Sequence, residues 1–212
     1  MGVQDIYDAM IEYDEDRVAE LVEAELGTGT DPTNILEKGM VAAMDEVGRQ
    51  FSEGILFVPE MLMAADAMKS GMEVLRPVLT KAGAQPEGTV VIGTVKGDLH
   101  DIGKNLVGMM LEGAGFQIVD LGTDVDAESF ITTAQEKDAD VIGMSGLLTT
   151  SMLEMEKAVV AVVDANKTRN LNVKVMIGGP PVSNEFAEKI GANGFGVDAP
   201  GAVTLARKFV KG

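Results

Sequence analysis

Residues 89–115 read TVVIGTVKGDLHDIGKNLVGMMLEGAG: a short apolar run rich in β-branched residues, a polar loop, then apolar residues at helical spacing closed by glycines. A short continuous apolar run is the pattern of a strand covered on both faces, and the glycines stop a helix expected over Asn105–Gly113. The loop between them, Gly97–Asn105, holds the only histidine of the chain, His100, with Asp98 two residues before it and Gly103 three after. A chain with one imidazole and no thiol has few ways to hold a transition metal, and His100 is the first of them.

Downstream the same unit recurs. Strand FQIVDLG, helix Ala127–Lys137, strand DVIGMSG, helix Ser151–Asn166, strand VKVMIGG, helix Ser183–Ile190, short strand GFGV and a last helix Gly201–Val210 follow in turn. Such alternation predicts a parallel sheet with helices on both faces and right-handed crossovers. Ligands of these sheets bind outside the carboxyl ends of the strands. His100, Ser145 and Gly178 all fall just past strand ends.

Upstream, residues 1–85 show helical spacing with few β-branched runs. One helix is expected over Val3–Tyr13. A second, capped by Asp14, buries Val18, Leu21, Val22 and Leu26 and stops at Gly27. A third opens at Asp31–Pro32 with Ile35, Leu36, Met40, Ala43, Met44, Val47 and Phe51 inward. A fourth opens at Pro59 with Met61, Leu62, Ala65, Met68, Met72 and Leu75 on one face and Pro77 near its end. Four antiparallel helices with short connections make a small bundle, and the methionines suit its core or an adaptable apolar surface. The change of pattern places a domain boundary between residues 85 and 86, within a linker Lys81–Gly88.

The chain has 212 residues, 46% of them hydrophobic, and carries a formal charge of −17. No charged-then-apolar leader pattern opens it and no apolar run approaches ~18 residues, so a soluble cytoplasmic protein is expected. Absence of cysteine excludes disulfides, thiolate catalysis and iron–sulfur ligation. The charge argues against nucleic acid and against anionic membrane surfaces. Residues 1–85 carry 17 acids against 6 bases and the remainder 17 against 11, a bias that serves solubility or a docking field for a basic partner.

Three clusters carry chemistry. Asp98 is placed to accept the Nδ1 proton of His100, which would leave Nε2 as a more basic metal donor. The pair also fits a general-base dyad, although no nucleophile motif of the GxSxG kind accompanies it. Gly103 lets backbone approach a bulky ligand. SGLLTTS, Ser145–Ser151, offers four hydroxyls that either line a slot between strand and helix or, at Thr150 or Ser151, cap the helix. In IGGPPV, Gly178 and Gly179 form a turn or leave bare backbone for a flat group. None of this resembles the GxGxxG phosphate fingerprint.

Taken together, VKGDLHDIGKN with its DxHxxG motif, SGLLTTS after one strand and GG after the next resemble the cobalamin-binding domain of methionine synthase and the corrinoid proteins of methyltransferase systems. The resemblance covers nearly the whole chain, because the helical bundle is similar to the cap domain of methyl-transferring members; GGPPV in place of the commoner GGAPV is a minor departure. It implies an N-terminal four-helix bundle cap, residues 1–85, followed by an α/β Rossmann-like (flavodoxin-like) five-stranded parallel sheet domain, residues 86–212. It implies cobalamin, as methylcobalamin or Co(I) corrinoid, bound base-off/His-on with His100 as the lower cobalt ligand. Asp98 and then Ser151 would be its hydrogen-bond partners, a relay that takes up a proton as the His–Co bond breaks. Gly97, Leu99, Asp101, Ile102 and Gly103 would complete the cofactor loop. Ser145, Leu147, Thr149, Gly178, Gly179 and Ala199 would line the channel for the nucleotide tail. Phe51 and Val58 would cover the methyl face, with Glu37 close to it.

By the same resemblance the chain is a non-catalytic carrier subunit. It would shuttle a methyl group from a substrate-specific methyltransferase to a methylcorrinoid:pterin (tetrahydrofolate-type) or thiol methyltransferase, would be served by a reductive activase, and would use the linker near Ala84–Gly88 as a hinge. A B12-dependent sensor would carry a signalling or DNA-binding domain, an adenosylcobalamin mutase subunit would depend on a barrel partner, and a cofactor-free scaffold would leave the hydroxyls without a purpose. Methanol, methylamines, betaines and aryl methyl ethers are all donors that the partner enzyme, not this chain, would recognise.

Overall fold

The computed structural model describes residues 2–82, 85–169 and 171–211, Thr80 through its backbone alone; Ala84 of the expected hinge lies outside the described residues. The chain forms two compact units, Met1–Pro86 with Gly113–Gly115, and Glu87–Glu112 with Phe116–Gly212.

In the first unit, α1 (Val3–Ile11) and α2 (Glu15–Gly27) are followed by a continuous helical stretch of α3 (Pro32–Asn34), a π-helical segment (Ile35–Val41) and α4 (Ala42–Ser52), and then by α5 (Val58–Ala82). Local chemistry sets the ends. The Asp14 carboxylate accepts the Arg17 N–H at 3.1 Å and Asp31 accepts that of Thr33 at 2.8 Å, each satisfying a free donor of a first turn. The first helix stops short of the expected Tyr13, which turns the chain at φ 61°. The third expected helix departs from α-geometry. Its buried residues Ile35, Met40, Met44 and Val47 are spaced by five, four and three. A regular α-helix would carry Leu36 and Glu37 to the face of Met40, whereas the wider π turn takes Ile35 inward and leaves Glu37 exposed. Along α5, Met61, Ala65, Met68 and Leu75 are buried as expected, but Leu62 is 37% exposed. The helix also continues past Pro77, because Leu75 and Leu79, on either side of the missing rung, are both buried in the bundle.

In the second unit, β1 (Thr89–Thr94), β2 (Gln117–Asp120), β3 (Val141–Ser145), β4 (Lys174–Gly178) and β5 (Gly194–Gly196) form one sheet of order β2-β1-β3-β4-β5. All pairs are parallel. Helices α6 (Ile102–Gly113), α7 (Ala127–Glu136), α8 (Ser151–Thr168), α9 (Asn184–Ile190) and α10 (Ala199–Lys211) connect and cover them. The α6 helix starts earlier than expected, since Asp101 already accepts the Asn105 N–H at 2.7 Å. Val91, Ile142 and Val175 of the central strands pack with Phe130, Met155 and Val159 of α7 and α8. Gly93 admits that packing: a Cβ there would lie 2.9 Å from the Phe130 ring. The strand order reverses between β1 and β3, where Thr94 pairs with Ser145. At such a switch point the loops after two neighbouring strands leave in opposite directions and open a crevice. Among the described residues, no helix is long and apolar enough to cross a membrane.

Candidate functional site

The crevice between β1 and β3 holds the histidine loop. After β1, Val95 makes one more parallel bridge, to Val125, and Gly97 at φ 80° turns the chain. Asp98 then lies fully buried. Its Oδ1 accepts the His100 backbone N–H at 3.0 Å and faces His100 Nδ1 at 2.7 Å. Its Oδ2 accepts the N–H groups of Leu147 at 2.7 Å and Leu148 at 3.2 Å and lies 3.0 Å from the Ser151 hydroxyl, whose single proton is shared with the Leu148 carbonyl at 2.7 Å. Burial alone would raise the Asp98 carboxyl pKa. The N–H groups of Leu147 and His100, the imidazole and the Ser151 hydroxyl outweigh it and hold the carboxyl well below the usual carboxylate range. An ionised carboxylate only accepts, so Nδ1 of His100 carries a proton and, in the neutral ring, Nε2 keeps its lone pair.

His100 Nε2 has no protein partner among the described residues, and the side chain is 55% exposed. Those residues also contain no cluster of three potential metal ligands. A bare cation therefore has no cage here, whereas a metal that arrives with its other ligands would need only one donor from the protein, which His100 would supply. The surroundings fit a flat, largely apolar group. Leu99 is 73% and Ile102 80% exposed, and Leu147 and Leu148, whose N–H groups bind Asp98, are exposed past the end of β3. Large exposed side chains around one imidazole mark a ligand surface.

The other residues expected at the site fall in three places. Gly103 opens into free space, and Asp101 is half-buried at the start of α6. The hydroxyls of Ser145 and Thr149 have no protein hydrogen-bond partner among the described residues, and Thr150 heads α8 without a side-chain capping bond, so these hydroxyls are not used to end the helix. Gly179, at φ 125°, has the Gly146 carbonyl oxygen 1.9 Å from where a Cβ would stand; its lack of a side chain lets the β3 and β4 loops touch. Gly178 approaches the Gly196 carbonyl in the same way at 3.3 Å, and Ala199 is buried at the head of α10. Glu37, Phe51 and Val58 belong to the other unit, where Glu37 is exposed in the π segment, Phe51 is half-buried in α4 and Val58 is exposed at the start of α5.

Three residues escaped the reading of the sequence. Thr94 and Asp124 bind the backbone of the histidine loop. Lys104 buries its ammonium against Asp120 Oδ2 at 2.5 Å and Asn105 Oδ1 at 2.6 Å, tying α6 to the end of β2. With the helix expected from Asn105, Lys104 fell in the loop, and only the earlier start of α6 at Ile102 puts it in a first helical turn, against the helix dipole.

Family models described as B12 binding domains match residues 88–207 and residues 3–76. The chain belongs to the B12-binding family of corrinoid proteins. This corrinoid protein is 40% identical to a corrinoid protein of Desulfitobacterium hafniense, over 98% of its own length and 97% of the relative's. It is 43% identical to trimethylamine corrinoid protein 1 of Methanosarcina acetivorans (94% and 93% covered). It is 42% identical to the dimethylamine corrinoid protein of Methanosarcina barkeri (98% and 97%). Among solved structures, the methanol:cobalamin methyltransferase complex MtaBC of Methanosarcina barkeri matches with a TM-score of 0.85 at 31% identity, covering 99% of this chain and 80% of that one. A cobalamin-binding protein of Desulfitobacterium hafniense matches with a TM-score of 0.80 at 29% identity, covering 99% and 98%. The corrinoid protein binds cobalamin, and the Rossmann-like sheet and helical N-terminal unit expected from the sequence are the architecture of that family.

Proposed function

We propose that this corrinoid protein is a methyl carrier that holds cobalamin base-off with His100 Nε2 as the lower cobalt donor. One observation carries the reading: an exposed imidazole with a free Nε2 has its Nδ1 2.7 Å from a buried carboxylate that four further donors hold in place. Bound cobalamin supplies a cobalt able to take a methyl group from one enzyme and yield it to another. The protein's part is orientation and proton placement. Asp98 fixes the tautomer of His100, and Ser151 with the Leu147 and Leu148 N–H groups fixes Asp98. Asp98 and Ser151 would serve as the relay beside His100, with Nδ1–H bonded to Asp98 and Nε2 left as the donor toward the cofactor.

Leu99, Ile102 and Leu147 would shield the lower face from water, and Ser145, Thr149, Gly178, Gly179 and Ala199 would line the path of the displaced nucleotide. Residues 1–85 would act as the cap, the part in which the family resemblance gives Phe51, Val58 and Glu37 a role toward the cofactor. Relatives named for trimethylamine and dimethylamine support a methylamine-specific methyltransferase as the donor partner. A pterin or thiol methyltransferase would be the acceptor partner, and a reductive activase would restore inactivated cofactor.

Loading the protein with cobalamin and recording its visible spectrum tests the reading. The wild type is expected to give a base-off, histidine-ligated spectrum and His100→Ala a base-off spectrum without that ligand, with slower methylation by a methylamine-specific partner. Unchanged spectra and methylation rates in His100→Ala would overturn the assignment.

A further inference from the structure

We infer that Thr94 and Asp124 are positioning residues for His100, forming a brace on the backbone of its loop that is separate from the Asp98 bond to its ring. Thr94 is fully buried, and its hydroxyl donates to the His100 carbonyl oxygen at 2.9 Å. Asp124, between β2 and α7, accepts the Gly97 N–H through Oδ1 at 2.8 Å, and its own N–H donates to the Asp98 carbonyl at 3.0 Å. Three hydrogen bonds from outside the loop thus reach the backbone of residues 97, 98 and 100. The braces are themselves anchored. The Thr94 N–H donates to the Gly122 carbonyl at 2.9 Å, and the Thr94 carbonyl accepts the Val125 N–H at 3.0 Å.

Two features are otherwise unexplained. Val90, Val91, Ile92 and Val95 make the end of β1 apolar, so the Thr94 hydroxyl is a buried exception where valine would fill the same volume. Such a hydroxyl is kept when its hydrogen bond is needed. Asp124 stands at φ 57°, the left-handed region, and its two bonds to the loop hold it there. The physical need is clear from the ring. A single hydrogen bond at Nδ1 leaves the imidazole free to swing about that contact, and the direction of Nε2 is set only when the backbone from which the ring springs is fixed as well. A donor already aimed loses less freedom on binding.

This inference rests on the reading of His100 as the cobalt donor, and the test separates the two. Because His100 is the only histidine, 15N NMR of imidazole-labelled full-length protein reports one ring without ambiguity. In cobalamin-free protein, wild type, Thr94→Ser and Asp124→Asn are expected to share one set of imidazole signals, while Thr94→Val and Asp124→Ala shift or split them. On loading, cobalamin affinity and the histidine-ligated fraction of Thr94→Val should fall by about tenfold, with Thr94→Ser near wild type. Wild-type imidazole signals and a wild-type histidine-ligated spectrum in Thr94→Val would overturn the brace. Should Thr94→Val not fold, Asp124→Ala, in an exposed loop, decides by the same criterion. If wild-type protein binds cobalamin without histidine ligation, the functional reading falls, and the imidazole spectra of cobalamin-free protein still decide the brace.

Discussion

Asp98 divides its two oxygens among five donors, whereas an asparagine would bring one acceptor oxygen and one NH₂ to the same groups. In Asp98→Asn an amide NH₂ would face either the His100 N–H groups or those of Leu147 and Leu148, leaving buried donors opposed. A loss of about 2–4 kcal/mol is expected, read as a lower urea midpoint. Its pH dependence follows from the depressed carboxyl pKa. A group ionised more readily in the folded than in the unfolded state contributes above the unfolded value, about 3.9 for aspartate, and loses that contribution as pH falls toward the folded value. The stability difference between wild type and Asp98→Asn should therefore be constant above about pH 5 and shrink below about pH 4. At this scale the Asp98–His100 pair was legible because two residues in one turn are neighbours whatever the fold. Ser151 entered through family resemblance, and Thr94 went unseen because its partner is a backbone carbonyl that no sequence pattern marks.

Within single elements, the glycines separate local preference from packing. Gly71 lies inside α5, where alanine would be favoured by about 1 kcal/mol on helix propensity. A Cβ there would stand 2.6 Å from Met40 Cε and 2.9 Å from Val18 Cγ1. The methionine tip can move, but the valine methyl on α2 is fixed, and overpacking of this kind costs about 1–3 kcal/mol. Gly71→Ala is therefore expected to lower stability by about 1 kcal/mol in urea unfolding, a gain being the contrary result. Gly179→Ala is the harsher change. It meets backbone at 1.9 Å and a φ of 125°, and a loss of about 3 kcal/mol is expected in the same measurement. The periodicity of apolar residues made every helix of the first unit legible, but not the π segment, because Leu36 and Ile35 are both apolar and only the packed bundle selects the latter.

For the whole molecule, a ligand that binds only the folded chain adds to its stability in proportion to its saturation. At a free cobalamin concentration a hundredfold above Kd, about 2.7 kcal/mol should be gained over the cobalamin-free protein, and less at the same concentration in His100→Ala. Urea unfolding followed by circular dichroism checks both. A gain equal in the two proteins would mean that the imidazole contributes nothing to the binding free energy.

What the amino-acid sequence determined alone was the kind and order of the elements, a helical segment and then alternating strands and helices, together with the local Asp98–His100 pair. These depend on periods of two and 3.6 residues and on neighbours in one turn, all properties of short stretches. What only the tertiary structure decided was which strand ends meet. The order β2-β1-β3-β4-β5 sets Thr94 beside Ser145 and so brings the Leu147 and Leu148 N–H groups and the Ser151 hydroxyl onto a carboxylate about fifty residues away. Strand order follows from the direction each crossover takes over the sheet, a long-range choice that no local periodicity records.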